Sequence, residues 1–375
     1  LPPCKKIHLW WEYRALQGEL GKPVARFTTF RQALKEVYDQ GVLRIRKAQG
    51  MHAVCQVCAG YKKELKNFKV SLMAHEQTLR LYTEHLVSQW LDRQVLDHMK
   101  DMSEVCVSCM AQGIPLPVTS SVLTFIVDGM DQAKFRVPRQ KVRSHAFETL
   151  LRPALHVQGI WAYGAGYHMA VSDADAKKDT VSNCEVIARM LDEIYDRYDT
   201  LPAGLHLQQD NTSRECKNQK MLKFAVALVS LGVFRWVTLA YLITGHTHNP
   251  SDGTFGEIAV KLSAYEFDDD KACVELLNRF VKDLGIDTTS RTHAKAYKHD
   301  ESAKWDDWWD QLELSFSNLT GPDAPHYFRV CLRRDIGSEA IPLPHLANRE
   351  MAIGSEAPLS WAVDNSDDIV VVLKE

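Results

Sequence analysis

Three aspartates stand where hard oxygen ligands would be useful. Asp128 closes the apolar run Val122 to Val127, Asp210 follows Leu205 to Gln209, and Asp252 lies in the opening turn of a helical pattern that begins at Pro250 or Ser251. They are 82 and 42 residues apart. Carboxylates at strand ends and at a helix start can converge on one sheet edge. Such a cluster binds Mg²⁺ or Mn²⁺, and two ions about 4 Å apart hold both the attacking and the leaving oxygen of a phosphoryl transfer. Each acid also has a plainer reading: Asn249-Pro250-Ser251-Asp252 suits a cap, a first-position proline and an acid that complements the helix dipole. Helical phase separates the acids on that helix. At about 100° per residue, the apolar face of Phe255, Ile258, Ala259 and Leu262 is centred about 70° from Asp252 and about 150° from Glu257, so Asp252 borders the sheet and Glu257 points away.

The neighbours suit phosphate chemistry. Asn211 could orient a metal ligand or a water, as could Asn218. Lys134, Arg136, Arg139, Lys141 and Arg143 follow the first strand and either hold a nucleic-acid backbone or form a solvated basic loop. Gly245-His246-Thr247-His248 is a His-x-His clamp of the kind that closes calcineurin-like phosphoesterase sites. Those sites also need an Asp-x-His at the first strand, where this chain has Asp128-Gly129-Met130, and an Asn-His pair, which the sequence lacks. His246 and His248 therefore stand as proton carriers or phosphate contacts beside the acids. A separate set, His52-Ala53-Val54-Cys55-Gln56-Val57-Cys58, puts three zinc-type ligands on one tight turn and needs a partner. Cys106 and Cys109 would complete a four-Cys set only if the chain between doubled back as a hairpin; otherwise they are buried thiols.

The elements that must position these groups show a definite order. Thr28 or Thr29 is expected to cap a helix carrying Phe30, Leu34 and Val37, with Val42 to Ile45 as a strand. From Tyr61 to Gln112 there is neither Gly nor Pro, so one long helix or a helical hairpin fills the stretch. Val122 to Val127, Leu155 to Tyr163 and Tyr167 to Val171 predict three strands in meander. A helix over Val181 to Tyr198 follows, then a strand at Leu205 to Gln209, a helix from Glu215 to Leu231, a strand from Phe234 to Ile243 and the helix at Pro250. Three strands, helix, strand, helix, strand, helix is the ribonuclease H order. Beyond Tyr265 a further helix runs to about Leu284; Trp305, Trp308 and Trp309 form a packing face; and the tail from Ser338 is loop with a strand at Ile369 to Leu373.

Composition bounds the rest. The 375 residues are 45% apolar and 25% charged, a globular profile. The longest near-apolar run, Phe224 to Phe234, is far short of the roughly 18 residues that span a bilayer, so no membrane partner is expected. The opening Leu1-Pro2-Pro3-Cys4-Lys5-Lys6 lacks a secretory apolar stretch and suggests a fragment of a longer chain. Nine Cys, four of them in Cys-x-x-Cys pairs, favour metal binding in a reducing intracellular compartment over a disulfide framework. Residues 1–70 hold 14 Lys plus Arg against 5 Asp plus Glu, a local +9 in a chain of net −3, and a basic front end suits a polyanion.

The strings Asp128-Gly129-Met130-Asp131-Gln132-Ala133-Lys134-Phe135, Gln209-Asp210-Asn211-Thr212-Ser213-Arg214-Glu215-Cys216-Lys217-Asn218 and Gly245-His246-Thr247-His248, followed by Asp252 and Phe255, resemble an uncharacterised, transposon-derived eukaryotic domain family with an acidic-triad integrase-type core. The resemblance spans about residues 45 to 265 and implies an RNase H-like fold with Asp128, Asp210 and Asp252 as the acidic set, and nuclear residence. His85, in the string His85-Leu86 to Asp92-Arg93, resembles a recurring feature of the same family and completes a zinc set of His52, Cys55, Cys58 and His85. The reading is an α/β protein with an RNase H-like mixed five-stranded sheet and flanking helices, preceded by a helical zinc-binding module. Its segments are a basic helical module at 1–117, a transposase-type domain at 118–265 and a C-terminal extension at 266–375. The expected function is divalent-metal-dependent cleavage or strand transfer of nucleic acid, with DNA the expected partner; the alternative is a domesticated, non-catalytic nucleic-acid-binding or scaffold protein.

Overall fold

Val122–Gly129 forms β1, buried from Val122 to Val127, and the rest of the sheet is laid out around it. The computed structural model describes residues 6–39, 55–66, 71–117, 121–131, 135–140, 152–176, 178–242, 250–299, 326–332, 349–351 and 369–374. Two compact units are present, Leu1–Ala53 and Val54–Glu375. The second contains parts of all three segments delimited from the sequence.

In the first unit, α1 (Lys6–Glu19) and α2 (Phe27–Asp39) pair through aromatic side chains. Trp10 meets Phe27 edge-on at 5.8 Å, Tyr13 stacks on Phe30 at 5.1 Å, and the Trp10 indole donates to the Ala25 carbonyl at 3.0 Å. Because Phe27 and Phe30 must both face α1, the helix is already turning at Phe27, so Thr28 and Thr29 lie inside its first turn and do not cap it. The strand expected at Val42 to Ile45 lies outside the described residues.

In the second unit, α3 (Gln56–Leu65) and α4 (Leu72–Ala111) form the hairpin option of the long helical stretch, each opened by a capping residue, Cys55 and Ser71. β2 (His156–Ala162) and β3 (Gly166–Ser172) follow β1 as a meander, then α5 (Thr180–Tyr198, capped by Asp179), β4 (Gly204–Gln209), α6 (Gln219–Ser230), β5 (Trp236–Tyr241) and α7 (Pro250–Leu262). Then come α8 (Asp270–Val281), α9 (Thr288–Thr292), β6 (Lys295–Lys298), β7 (Tyr327–Leu332), β8 (Arg349–Met351) and β9 (Ile369–Lys374). The expected five-stranded sheet is corrected to nine strands, in the order β6-β3-β2-β1-β4-β5-β7-β9-β8. The expected five occupy its centre. Within them β2 is antiparallel to β1 and β3, while β1, β4 and β5 are parallel. β6 adds parallel to β3, and β7 antiparallel to β5.

Side-chain alternation along β1 sorts the two faces. Leu123, Phe125 and Val127 join Ile187, Met190, Leu222 and Ala225 in the cluster under α5 and α6. Ile126 joins Phe255, Ile258, Leu277 and Phe280 in a second cluster under α7 and α8. α4 lies on this second face too: the Thr124 hydroxyl donates to the Met99 carbonyl at 2.7 Å and the Val122 amide to Cys106 Sγ at 3.4 Å. Both crossover helices of the parallel strands therefore share one face, as right-handed connections running the same way along a sheet require.

Candidate functional site

Asp128 and Asp210 are brought side by side by register. β1 and β4 pair in parallel up to Val127 opposite Gln209, and each aspartate is the next residue, at strands about 4.8 Å apart. Val127 points towards α5 and α6, so alternation turns Asp128 to the opposite face, where α7 packs, while Asp210 is the first residue past the end of β4. Their carboxylates are steadied locally: the Gly129 amide donates to Asp128 Oδ1 at 2.8 Å and the Asn211 amide to Asp210 Oδ1 at 2.7 Å. That bond is what Asn211 contributes to the site.

Asp252 approaches from α7 through Phe255. Gly159 is the cross-strand partner of Asp128, and a Cβ built on it would lie 2.9 Å from Cε1 and Cζ of Phe255 and 3.0 Å from the Tyr167 hydroxyl. The Phe255 ring thus rests on the backbone beside Asp128, and Asp252 sits three residues, about 4.5 Å of helix rise, before it. Glu257 is turned elsewhere, accepting from the Gly285 amide at 3.2 Å and pairing with Lys261 at 3.4 Å. Tyr167 is fully buried, and among the described residues its hydroxyl has no hydrogen-bond partner. Burial pushes its phenol far up, and the charge of Asp128 adds to this. The side-chain oxygens of Asp128, Asp210 and Asp252 do not all lie within 4.8 Å of one another, so the three do not form the ligand set of a single ion. Among the described residues, Cys55, Cys58 and His85 do.

The loop from Asn211 to Asn218 joins Asp210 to α6. Asn218 is the cap of α6, accepting from the Met221 amide at 3.1 Å while donating to Thr180 Oγ1 at 2.6 Å and to the Ser213 carbonyl at 3.0 Å; its amide is spent on structure. It also explains why α6 starts at Gln219 and not Glu215. Asn183 donates to the Glu215 carbonyl at 2.6 Å and accepts from Gln158. Burial raises the Cys216 thiol to about 12, with Asp210 and Asp128 among the charges that add to it. Lys178 pairs with Glu215 at 3.1 Å, and its Cε and Nζ come within 3.0 Å of where a Gly129 Cβ would stand. A cation thus covers the end of β1, which no sequence pattern marked.

Of the basic loop, Arg136 is exposed; Arg139 lies over the Phe267 ring at 6.0 Å, with its backbone paired to Phe267 at 2.7 and 3.1 Å. Lys134, Lys141, Arg143, His246 and His248 lie outside the described residues.

The Cys55, Cys58 and His85 group is well formed and could bind a metal such as zinc. Cys55 Sγ and His85 Nε2 are 3.5 Å apart, and the Cys58 amide donates to Cys55 Sγ at 3.5 Å. Both cysteines are buried. Burial foremost, then the neighbouring Cys55, raises the Cys58 thiol to about 11, and burial lowers the His85 imidazole. A cation between them would relieve the thiol and find the histidine already neutral. Tyr61 against Tyr82 at 6.0 Å and the Thr78 hydroxyl on Glu64 at 3.3 Å hold α3 to α4, which is how His85 reaches the turn. Cys106 is one α4 residue buried under β1, about 30 Å along the helix from His85. The four-Cys alternative is thereby excluded. His52 lies outside the described residues.

The profile of the family described as Domain of unknown function (DUF7869) matches residues 146–339, just over half of the chain. The chain belongs to this family. The matched stretch includes Asp210 and Asp252, whereas Asp128 precedes it. No curated protein matches. Among solved structures, the Mos1 strand transfer complex is similar at 13% identity and a TM-score of 0.28, over 73% of this chain and 86% of that one. The Mos1 transposase paired-end complex with left transposon end is similar at 12% identity and a TM-score of 0.28, over 72% and 83%. At such scores the likeness locates no residue and assigns no activity. No helix among the described residues is long and apolar enough to cross a membrane.

Proposed function

We propose that this chain is a transposase-like protein that cleaves or transfers nucleic-acid phosphodiester bonds with the help of divalent cations, on an RNase H-like core. One observation carries the reading: Asp128 and Asp210 end neighbouring parallel strands in register, and the ring of Phe255, three residues after Asp252 on α7, rests on the backbone of Gly159 beside Asp128. The strand order β3-β2-β1-β4-β5, with β2 alone reversed, supports the RNase H-like assignment.

Asp128, Asp210 and Asp252 would hold Mg²⁺ or Mn²⁺, which when bound supplies Lewis-acid stabilisation of the charge that develops on phosphate oxygens. The chain's own contribution is positional. Backbone amides of Gly129 and Asn211 fix the rotation of two carboxylates, and the Phe255 ring sets the height of the third. Lys178, near the end of β1, offsets part of their negative charge as a phosphodiester approaches. Zinc at Cys55, Cys58 and His85, with His52 as the fourth ligand, would serve structure by locking the α3–α4 hairpin.

The test is a cleavage assay on labelled DNA with Mn²⁺. Wild type cuts, and Asp128→Asn and Asp210→Asn each lose cutting while keeping the wild-type melting curve. Wild-type cutting by either variant rejects the reading. The second reading, a non-catalytic nucleic-acid-binding or scaffold protein, is favoured by the three carboxylates not forming the ligand set of a single ion; titration calorimetry showing no Mn²⁺ binding that depends on the aspartates would select it.

A further inference from the structure

At the carboxyl end of β4 and β5, on the α6 side of the sheet, several polar groups are buried without the partners such groups normally have. Lys217 is only 4% exposed, and its ammonium lies over the Tyr241 ring at 5.8 Å; among the described residues no carboxylate pairs with it. Tyr241 is flanked in the sheet by Gln209 on β4 and by His326 at the entry to β7, whose carbonyl accepts from the Tyr241 amide at 2.8 Å. Gln209 is 2% exposed, and among the described residues neither atom of its side-chain amide finds a hydrogen bond; the same holds for Nδ1 of His326. The Lys217 ammonium lies over the Tyr241 ring, Gln209 and His326 flank that residue in the sheet, and of the described carboxylates Asp92 reaches His326 with its charge but pairs with none of the three.

Chemistry says what is missing. Burying an ammonium without a counter-charge is costly, and the cost shows in a Lys217 lowered to about 8 by burial alone. His326 feels the same cation, since burial and then Lys217 hold its imidazole down. A tetrahedral oxyanion would accept from the ammonium, from Gln209 Nε2 and from His326 Nδ1 when that nitrogen carries its proton, leaving Gln209 Oε1 to a separate donor. Place narrows the choice. Gln209 directly precedes Asp210, so an anion held here lies one residue and one sheet thickness from the acidic edge. A polynucleotide whose backbone crosses the strand ends would present successive phosphates to both.

We propose that Lys217, with Gln209 and His326, is a phosphate-binding site that seats the nucleic-acid backbone next to the acidic edge. It deepens the function proposed above and rests on that reading for the identity of the polymer. The site contains none of the three aspartates, so the two can fail separately.

The experiment measures anisotropy of a short fluorescein-labelled DNA duplex against salt, in EDTA so that divalent cations play no part. Removing one phosphate contact lowers the slope of log K against log salt by about 0.9, which at 0.1 M salt is about eightfold in affinity. Lys217→Met is expected to show both changes with a melting temperature equal to or above that of wild type, because it removes a desolvated charge. Lys217→Arg keeps the slope. Gln209→Glu, which supplies the missing negative charge from within the chain, is expected to weaken DNA binding at unchanged or greater stability. It is the second probe should Lys217→Met fail to fold. A Lys217→Met protein that binds with wild-type affinity and slope overturns the site, as does a Gln209→Glu protein that does. Wild type that binds DNA through Lys217 yet never cuts with Mn²⁺ overturns the catalytic reading and leaves the phosphate site standing.

Discussion

Gly159→Ala is the smallest change that reaches the acidic edge without touching an acid. The new Cβ would stand 2.9 Å from two carbons of the Phe255 ring and 3.0 Å from the Tyr167 hydroxyl, where ordinary contact begins near 3.4 Å. Something must give by about half an ångström. Tyr167 is locked in the core, so Phe255 moves, and with it the first turn of α7. Overpacking of this kind costs about 1–3 kcal/mol, which for a unit this long lowers the melting point by only a few degrees. The effect on the site is expected to be larger than the effect on the fold, because misplacing a ligand or reacting group by about 1 Å costs on the order of a hundredfold. The assay pairs urea denaturation with Mn²⁺ titration by calorimetry. The expected result is a modest loss of stability and a loss of Mn²⁺ affinity of tenfold or more. A variant with wild-type stability and wild-type Mn²⁺ affinity would show that Phe255 does not set the position of Asp252.

Two further outcomes are expected. Metal analysis of protein purified without chelator should find one zinc per chain, and His85→Ala should lose it and lower the melting point; zinc-free wild type with an intact hairpin refutes the ligand set. Glu193 is pushed up by burial, but the imidazole of His168 at 3.3 Å and the ammonium of Lys295 outweigh this and hold it at about 2. A depressed carboxyl stabilises the fold above its unfolded range near 4.5 and loses that contribution as pH falls towards 2. Urea midpoints should therefore drop between pH 5 and 2 in wild type and drop less in Glu193→Gln; parallel curves would count against the pairing.

The central strands were legible because each is a short apolar run ended by a polar residue, and α5 because Ile187, Met190, Leu191 and Ile194 recur on one face. β6 was not. Lys-Ala-Tyr-Lys is four residues at a sheet edge with lysines at both ends, which carries no apolar run to notice. β7 was missed because it is recruited by antiparallel pairing to β5 from far along the chain, a matter of topology more than of local pattern. Strand ends drift for the same reason: Phe234 is buried, so its hydrophobicity extended β5 backwards although Arg235 already bonds Ala203 outside the strand. At the site, Asp128 stood out as an acid after an apolar run and Asp210 as an acid at the end of a short strand. Lys217 did not, since a buried lysine looks in sequence like any solvated one, and its burial depends on Tyr241 from another strand.

The forty residues of α4 run without interruption from the layer that holds His85 to the layer where Met99 and Cys106 grip β1. A rod with no joint cannot absorb rotation at one end and leave the other still. Whatever seizes the cysteine–histidine hairpin therefore presents itself to the strand bearing Asp128 at an angle fixed by the fold, and bending that rod, as a proline near Asp92 would, uncouples the two ends while leaving each intact.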